Sequence, residues 1–216
     1  KEPELAYRVN ALGARNLSIV ARKIGAKIVQ ISTDDVFDGN KNTPYSEFDD
    51  TDPKTVYGRS KRAGENYVRE FTHKHFVIRS SWIFGHGDNF VTRVLRKAGN
   101  GELMEAAIDE TGCPTSAKDL ARIILYLITT NEYGTYHATC KGLCSRYDFA
   151  REILSLAGLH AEVKEISIAD SKEHLVRPAY AVLDNFILRI IDVYEMPKWK
   201  QSLEEYIAEW KEETHE

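Results

Sequence analysis

Short apolar runs alternate along this sequence with longer stretches of helical spacing, and this alternation restricts the fold more than any other feature. The runs AKIVQIS and FVIRSSWIFG are rich in β-branched and aromatic residues, as buried parallel strands are, and GTYHAT and AEVKEIS are further strand candidates. The spacing predicts helices over residues 4–24, 56–73, 88–98, 116–130 and 145–158, and in the tail from about residue 201. This order favours an α/β fold, a doubly wound parallel sheet covered by helices on both faces.

The elements become shorter and more polar in the last third of the chain. Ser145 is placed to cap the helix that opens this part, and Gly158 to end it. We therefore predict a main domain over residues 1–144 and a smaller lobe over residues 145–216. The boundary is approximate, and we expect segments of the two lobes to be interleaved.

Charge and composition argue against several classes of protein. The 216 residues carry 29 Lys and Arg against 33 Asp and Glu, a net charge of −4 without a basic cluster, so we expect no nucleic-acid partner. No apolar run approaches the roughly 18 residues of a membrane span and no signal peptide opens the chain, so we expect no membrane partner. Three cysteines lack a paired framework, which fits the reducing cytoplasm.

Cys140 and Cys144 would suit half of a zinc site, but no second cluster of Cys or His completes it. We expect no metal.

Two hydroxyls and two carboxylates end the run AKIVQI: Ser32, Thr33, Asp34 and Asp35. One interpretation is a solvated turn. The other is a row of catalytic and binding groups, because the carboxyl ends of parallel strands are where α/β folds bind ligands. The polar loop over residues 34–56 is too long for a simple connection, and long loops at strand ends are commonly functional.

Tyr57 and Lys61 stand four residues apart on the helix that follows, and therefore on one face. An ammonium one turn away favours the phenolate and would make the phenol a better proton donor to a carbonyl oxygen, which the Thr33 hydroxyl could hold in line. Taken alone the spacing is weak evidence, because an exposed tyrosine beside a lysine stem occurs by chance.

The surrounding sequence resembles a known family in blocks that occur in the same order. They are ISTDDVFDG, PYSEFDDTDPKTVYGRSKRAGE, VIRSSWIFG, NFV, DETGCPTSAKDLA, GTYHAT and RPAYAVLDN. Together these blocks resemble the dTDP-4-dehydrorhamnose reductases, a branch of the extended short-chain dehydrogenase/reductases, over residues 3–185. The resemblance implies a Rossmann-like fold, with residues 1–144 as the remainder of a dinucleotide-binding domain and residues 145–216 as a substrate-binding lobe.

The same resemblance implies reduction of a 4-keto nucleotide sugar, most closely dTDP-4-dehydrorhamnose, by NADPH or NADH. Tyr57 would donate the proton to the keto oxygen, Lys61 would lower the pKa of Tyr57, and Thr33 would bond the substrate carbonyl. Tyr57, Lys61 and Ser32 would contact the cofactor.

A second set of residues would bind the substrate: Thr33, Asp34, Asp35, Trp82, Asn89, Thr115 and Arg177. Core packing is the alternative for Trp82, and a surface ion pair is the alternative for Arg177. Asn10 and Asn16, on the first helix, could brace the site or simply meet solvent.

The sequence departs from the family in three places. Asp35 stands where a tyrosine is usual and Glu110 where a glutamine is common, and both add negative charge near a dianionic diphosphate, which weakens the match to the dTDP sugar. No Gly-rich G-x-x-G-x-x-G phosphate loop occurs. We therefore expect the N-terminal β-α units of the family to be missing here and the chain to be inactive by itself.

Two other functions stay open. The chain could be a non-catalytic regulatory or binding subunit of the same fold, or a sugar-nucleotide epimerase or dehydratase. The joint presence of Thr33, Tyr57 and Lys61 favours a reductase, which could be a homodimer.

Overall fold

The computed structural model describes residues 2–170, 178–191 and 195–215. The helices are α1 (Pro3–Tyr7), a π-helix (Arg8–Gly13), α2 (Ala14–Ile24), α3 (Val56–Phe71), α4 (Phe90–Gly99), α5 (Ala117–Thr129), α6 (Arg146–Ala157), α7 (Phe186–Ile190) and α8 (Trp199–His215), with 3-10 turns at Asp34–Val36 and Ile168–Asp170. None of the helices in these ranges is both long and apolar enough to cross a lipid bilayer.

The strands are β1 (Ile28–Thr33), β2 (His75–Ser80), β3 (Ile83–Phe84), β4 (Met104–Ala107), β5 (Thr111–Gly112), β6 (Thr115–Ser116), β7 (Gly134–His137), β8 (Cys144–Ser145), β9 (Val163–Ile166) and β10 (Tyr180–Ala181). The central sheet has the parallel order β1-β2-β7. In the described residues β3 pairs with β6 and β4 pairs with β9, both parallel, while β5 lies between β10 and β8. The predicted α/β fold with parallel strands is confirmed.

Two predicted elements are interrupted in the structure. The run FVIRSSWIFG is not one strand, because Trp82 adopts a left-handed backbone (φ 44°) that separates β2 from β3. The helix predicted over residues 4–24 contains the π-helix Arg8–Gly13. Its end is as predicted: Gly25 takes the left-handed conformation (φ 70°) in which a glycine closes a helix without steric cost.

The predicted caps of α6 are confirmed. Ser145 Oγ accepts from the backbone N–H of Asp148, and the Asp148 carboxylate accepts from Ser145 in return. Gly158 ends the helix in a left-handed conformation. This capping box satisfies backbone donors that the first helical turn would otherwise leave without a partner.

One large apolar cluster forms the core, and Phe149 of α6 lies at its centre. Its ring contacts those of Trp82, Phe84, Phe90 and Trp199, with centroids 5.4–6.3 Å apart. The cluster therefore joins residues on both sides of the 144/145 boundary. The division into two lobes stays a prediction.

Helix α2 is buried on one face and exposed on the other. Ala14 and Ser18 are buried against the body of the protein, whereas Leu17, Val20 and Ile24 are exposed. In the part of the chain that the structure describes, no strand pairs with the outer edge of β1. An apolar helix face and an open strand edge therefore lie side by side.

Candidate active site

The carboxyl ends of β1 and β2 lie side by side. The two strands are parallel and in register, with Thr33 opposite Ser80. The residues that follow each strand therefore meet at one edge of the sheet, which is where ligands bind in open α/β folds.

Asp34 connects the two strand ends through hydrogen bonds to both of its carboxylate oxygens. Thr33 Oγ1 donates to Asp34 Oδ1 over 2.8 Å, and Ser81 Oγ donates to Asp34 Oδ2 over 2.7 Å. The Asp35 backbone N–H donates to Thr33 Oγ1 over 3.2 Å. The hydroxyls that the sequence places at this strand end are thus held by a carboxylate from the same turn.

The N-terminus of α3 is fixed against the same turn. Thr55 caps the helix: its Oγ1 accepts from the Gly58 N–H over 2.8 Å and donates to Asp35 Oδ2 over 2.8 Å. A Cβ at Gly58 would lie 2.0 Å from the Asp35 carbonyl oxygen, so only glycine permits this approach. Asp35 is predicted to contact substrate. In the structure its carboxylate accepts a hydrogen bond from Thr55, the residue that caps the helix carrying Tyr57.

Tyr57 and Lys61 follow on α3 and face the end of β1. Tyr57 is 49% exposed. Lys61 Nζ donates to the Ile31 carbonyl oxygen over 2.5 Å, and burial lowers the pKa of its ammonium. The structure therefore brings together Thr33, Tyr57 and Lys61, the three predicted catalytic residues.

The expected effect of Lys61 on Tyr57 is not seen. Burial, the largest influence, raises the pKa of Tyr57, and the carboxylates of Asp34 and Asp35 raise it further, while a hydrogen bond from Thr33 lowers it. The net pKa lies above the ordinary value of a tyrosine. The physical reason is that the Lys61 ammonium is engaged with a backbone carbonyl, whereas two carboxylates face the phenol.

Asp34 itself is a perturbed acid. Burial raises its pKa to about 6, outweighing the hydrogen bonds from Ser81 and Thr33, which lower it. The Asp35 carboxylate raises this pKa and the Arg146 guanidinium lowers it. A carboxyl that titrates near neutrality beside a phenol is typical of a catalytic centre.

A buried ion pair lies behind Lys61. Glu65, one turn further along α3, accepts from Arg79 Nε over 2.9 Å and from Arg79 Nη2 over 2.8 Å. Burial raises the pKa of Glu65, but the Arg79 guanidinium holds it below its usual range. The neighbouring Ser32 hydroxyl contributes to this lowering, although among the described residues it has no hydrogen-bond partner of ordinary geometry. His137, 3.5 Å from Arg79, has its pKa lowered to about 3 by burial and is neutral.

Trp82, which follows β2, packs against Arg146 at the start of α6. The Arg146 guanidinium lies 3.4 Å above the Trp82 ring and 5.0 Å from the Phe90 ring, and its Nε donates to Glu110 Oε1 over 3.0 Å. A Cβ at Gly112 would lie 2.5 Å from the Trp82 indole, so the ring packs on bare backbone. Glu110 was expected to add negative charge near a diphosphate. Arg146 pairs with Glu110, which offsets part of that charge.

The remaining predicted residues have local contacts. Asn89 caps α4 and donates to the Gly85 carbonyl over 2.6 Å. Thr115 is fully buried, where its Oγ1 donates to the Cys113 carbonyl and accepts from the Cys140 N–H. The contacts described for these two side chains do not test whether they bind the substrate, so that assignment stays a prediction. Arg177 lies outside the described residues.

Of the two asparagines on the first helix, Asn10 is tied to the site and Asn16 is not. Asn10 Nδ2 donates to Ser60 Oγ over 3.0 Å, and Ser60 Oγ donates to the Tyr57 carbonyl over 2.8 Å. Asn16 Oδ1 accepts only exposed hydrogen bonds from its neighbour Arg15 among the bonds described.

Comparison with known proteins identifies the family. The family model of the RmlD substrate-binding domain matches residues 1–212. The chain belongs to the RmlD substrate-binding domain family.

Solved and curated relatives of this family resemble the chain along most of its length. A dTDP-4-dehydrorhamnose reductase from Clostridium acetobutylicum superposes with a TM-score of 0.92 at 41% identity and covers 97% of this chain and 75% of its own. The Bacillus anthracis dTDP-4-dehydrorhamnose reductase, solved in complex with NADP, gives 0.93 at 38% identity, with 96% and 74% covered. The spore coat polysaccharide biosynthesis protein SpsK of Bacillus subtilis is 38% identical over 211 residues, which are 97% of this chain and 74% of SpsK.

Within this RmlD-type domain, the contact of Tyr57, Lys61 and Ser32 with a nicotinamide cofactor stays a prediction. Tyr57 and Lys61 face the end of β1, and Ser32 lies on that strand. A Gly-rich phosphate loop does not occur in the sequence. No three His, Cys, Asp or Glu side chains in the described ranges are grouped closely enough to hold a metal ion.

Proposed function

We propose that this chain carries the catalytic and substrate-contacting part of a reductase that converts the 4-keto group of a nucleotide sugar to an alcohol, with dTDP-4-dehydrorhamnose as the best-fitting substrate. The observation that carries the proposal is the convergence of Thr33, Tyr57 and Lys61 at the end of β1. Relatives of similar sequence are named dTDP-4-dehydrorhamnose reductases, which supports the choice of substrate.

Each catalytic residue has a distinct role in this proposal. Tyr57, held at the start of α3 by the Thr55 cap, donates its proton to the keto oxygen, and Thr33 orients that oxygen. Tyr57, Lys61 and Ser32 hold the nicotinamide end of NADPH or NADH. That cofactor, when bound, supplies the hydride to the carbonyl carbon.

The substrate would lie against Trp82 and Arg146. A guanidinium stacked on an indole presents a flat cationic surface, which suits a sugar nucleotide with an anionic diphosphate. Because Glu110 is paired with Arg146, its charge opposes such a ligand less than the sequence alone suggests. Asp34 is proposed to face the sugar, and Arg177 the diphosphate. The homodimer, the cytoplasmic location and the absence of a nucleic-acid partner stay predictions.

Steady-state oxidation of NADPH and NADH with dTDP-4-dehydrorhamnose tests the proposal. It is measured on the chain itself and on a chimera in which the chain replaces the matching three quarters of the Clostridium acetobutylicum reductase. In the active protein, Tyr57→Phe should lower kcat by about 10² to 10⁴, the usual contribution of a positioned acid, with little change in KM.

Tyr67→Phe is the matched control, because Tyr67 lies on the same helix and packs on Phe71 away from the strand end. It should keep full turnover. Undiminished kcat in Tyr57→Phe would remove Tyr57 as the acid. A chimera that binds the nucleotide sugar without turning it over would favour the non-catalytic alternative.

A further inference from the structure

Asp35 contacts both segments that carry the proposed catalytic residues, and it does so through three different groups. Its backbone N–H donates to Thr33 Oγ1 over 3.2 Å, and its carboxylate oxygen Oδ2 accepts from Thr55 Oγ1 over 2.8 Å. Its carbonyl oxygen lies so close to α3 that a Cβ added at Gly58 would be 2.0 Å away. Asp35 therefore connects the end of β1, which carries Thr33, to the first turn of α3, which carries Tyr57.

The Thr55 hydroxyl extends this connection into the helix. Its oxygen accepts from the Gly58 N–H over 2.8 Å, and its one hydrogen is donated to the Asp35 carboxylate. A threonine hydroxyl rotates to suit its partners, so an acceptor that holds its hydrogen also fixes the direction of its lone pairs. Bonding to a carboxylate makes the Thr55 oxygen a better acceptor as well, because hydrogen bonds in a chain polarise one another. The Asp35 carboxylate thus strengthens the cap at Gly58.

The first turn of α3 has no carboxylate of its own. None of its side chains is acidic, although negative charge at this end of a helix is favourable because it meets the positive end of the macrodipole. Asp35 brings a carboxylate to this turn from 20 residues earlier in the chain. The position of the turn, and with it that of Tyr57, is therefore coupled to the residues that follow β1.

The neighbouring carboxylate is directed to a different segment. Asp34 accepts from Thr33 through Oδ1 and from Ser81 through Oδ2, so it joins the end of β1 to the residues that follow β2. Asp35 joins the same strand end to α3 instead. Two adjacent carboxylates therefore connect one strand end to two different elements, and only Asp35 is bonded to the cap of the helix that carries Tyr57.

We propose that Asp35 is a positioning residue, which fixes Tyr57 relative to Thr33 by orienting the Thr55 cap of α3. This inference rests on the proposed function, in which Tyr57 gives a proton to the keto oxygen that Thr33 orients. It assigns Asp35 a role other than the substrate contact expected from the sequence. Because proton transfer requires precise placement of the donor, the Asp35 carboxylate should act on kcat and not on KM.

Amide hydrogen exchange at Gly58, followed by NMR on the 216-residue chain, tests this coupling without turnover. Asp35→Ala removes the acceptor and should raise the exchange rate of the Gly58 N–H about tenfold, as expected when a cap is weakened. Asp35→Asn keeps an oxygen that can accept from Thr55 and should stay within about twofold of wild type. The Asp148 N–H, capped by Ser145 on α6, is the internal control and should exchange at the wild-type rate in both variants.

Further variants keep the test decisive if Asp35→Ala does not fold. Asp35→Leu, which is similar in length and has no acceptor, then takes its place. Thr55→Val should raise the exchange at Gly58, and Thr55→Ser should restore protection. Adding Asp35→Ala or Asp35→Leu to Thr55→Val should raise it no further, because Asp35 acts through that hydroxyl. Asp50→Ala, in the exposed part of the loop, is the control and should change nothing. An exchange rate at Gly58 that does not respond to loss of the Asp35 acceptor would overturn the proposal.

Turnover distinguishes positioning from substrate contact. In the active chimera, Asp35→Ala should lower kcat about tenfold with KM for the nucleotide sugar nearly unchanged, and Asp35→Asn should recover most of the loss. A KM that rises while kcat holds would mean that Asp35 contacts the substrate, and the proposal would fail. If Tyr57→Phe loses turnover but exchange at Gly58 is unmoved in Asp35→Ala, the reductase stands and the positioning role fails. If Tyr57→Phe keeps full kcat while Gly58 loses protection, the proposed acid fails and the coupling of Asp35 to α3 stands.

Discussion

The ends of the two central strands are adjacent in space but held in place by different means. After β1, Thr33, Asp34 and Asp35 are fixed by hydrogen bonds within the turn and to the cap of α3. After β2, Trp82 takes a left-handed backbone and is held by packing against Arg146. A hydrogen bond from Ser81 to Asp34 joins the two turns.

Under the proposed function, this difference separates the catalytic residues from those that bind the substrate. Directional hydrogen bonds fix atoms to a fraction of an ångström, as proton transfer requires. An aromatic ring stacked on a guanidinium gives a broad surface that tolerates small shifts, as the binding of a large flexible ligand requires. Damage to the β1 turn should therefore reduce kcat, and damage to the β2 turn should mainly raise KM.

The strongest test of the β1 turn after Tyr57 itself is Gly58→Ala. The added methyl would lie 2.0 Å from the Asp35 carbonyl oxygen, so α3 must move away from the strand end. We expect a loss of about 3 kcal/mol in the free energy of unfolding and, in the active chimera, a fall in kcat, since overpacking against backbone is not easily relieved. Denaturant unfolding and steady-state kinetics measure both.

Gly99→Ala is the matched control, because no atom lies within 4 Å of its added Cβ. Alanine in a helix is favoured over glycine by roughly 0.5–1 kcal/mol, so this variant should be neutral or slightly more stable. If Gly58→Ala and Gly99→Ala had the same free energy of unfolding and the same kcat, the close approach of α3 to the turn would not constrain the site.

The charge of Asp34 should make stability depend on pH. Its pKa rises from 3.8 to about 6 on folding, so the folded state binds the proton more tightly and its stability falls as the pH rises toward 6. Relative to wild type, Asp34→Asn should therefore gain about 2 kcal/mol between pH of about 4.5 and about 7.5. Urea unfolding at both pH values measures the gain. A constant difference would mean that Asp34 titrates as it does in the unfolded chain.

The smallest effect is expected at the β2 turn. Arg146→Gln removes the cation above Trp82 and the partner of Glu110, and we expect KM for the nucleotide sugar to rise about tenfold with kcat nearly unchanged. Arg151→Gln, on the same helix over the Tyr147 ring, should leave both constants unchanged. A fall in kcat instead would show that the two turns are not separate in function.

The sequence indicated the β1 turn because all its signals are local. A strand, its terminal hydroxyls and the Tyr57–Lys61 pair lie within about 30 residues, and their spacing determines the shared site. Arg146 was missed because it lies 64 positions from Trp82 in the chain, and no spacing rule connects an arginine at a helix start to a distant ring. The raised pKa of Tyr57 was missed for a related reason, because the direction of the Lys61 ammonium depends on a backbone carbonyl of β1.

The same distinction applies to the fold. The long strands and helices were predicted because their periodicity extends over many residues. The two-residue strands β3, β5, β6, β8 and β10 have no periodicity and form only where tertiary contacts bring them together. Trp82 belongs to an apolar run that favours a strand, and the sequence gives no sign that its ring packs on the distant Gly112 and Arg146.

The π-helix at Arg8–Gly13 makes the length of the N-terminal helical segment critical. In this wide turn the Asn10 carbonyl oxygen faces Gly64, and a Cβ added at Gly64 would lie 2.2 Å from it. Deleting one residue here would restore regular α-helical bonding and rotate α1 by about 100° relative to α2. Such a deletion would separate Asn10 from Ser60 without changing any residue at the strand ends. Homologous chains should therefore vary in sequence along this helix far more readily than in length.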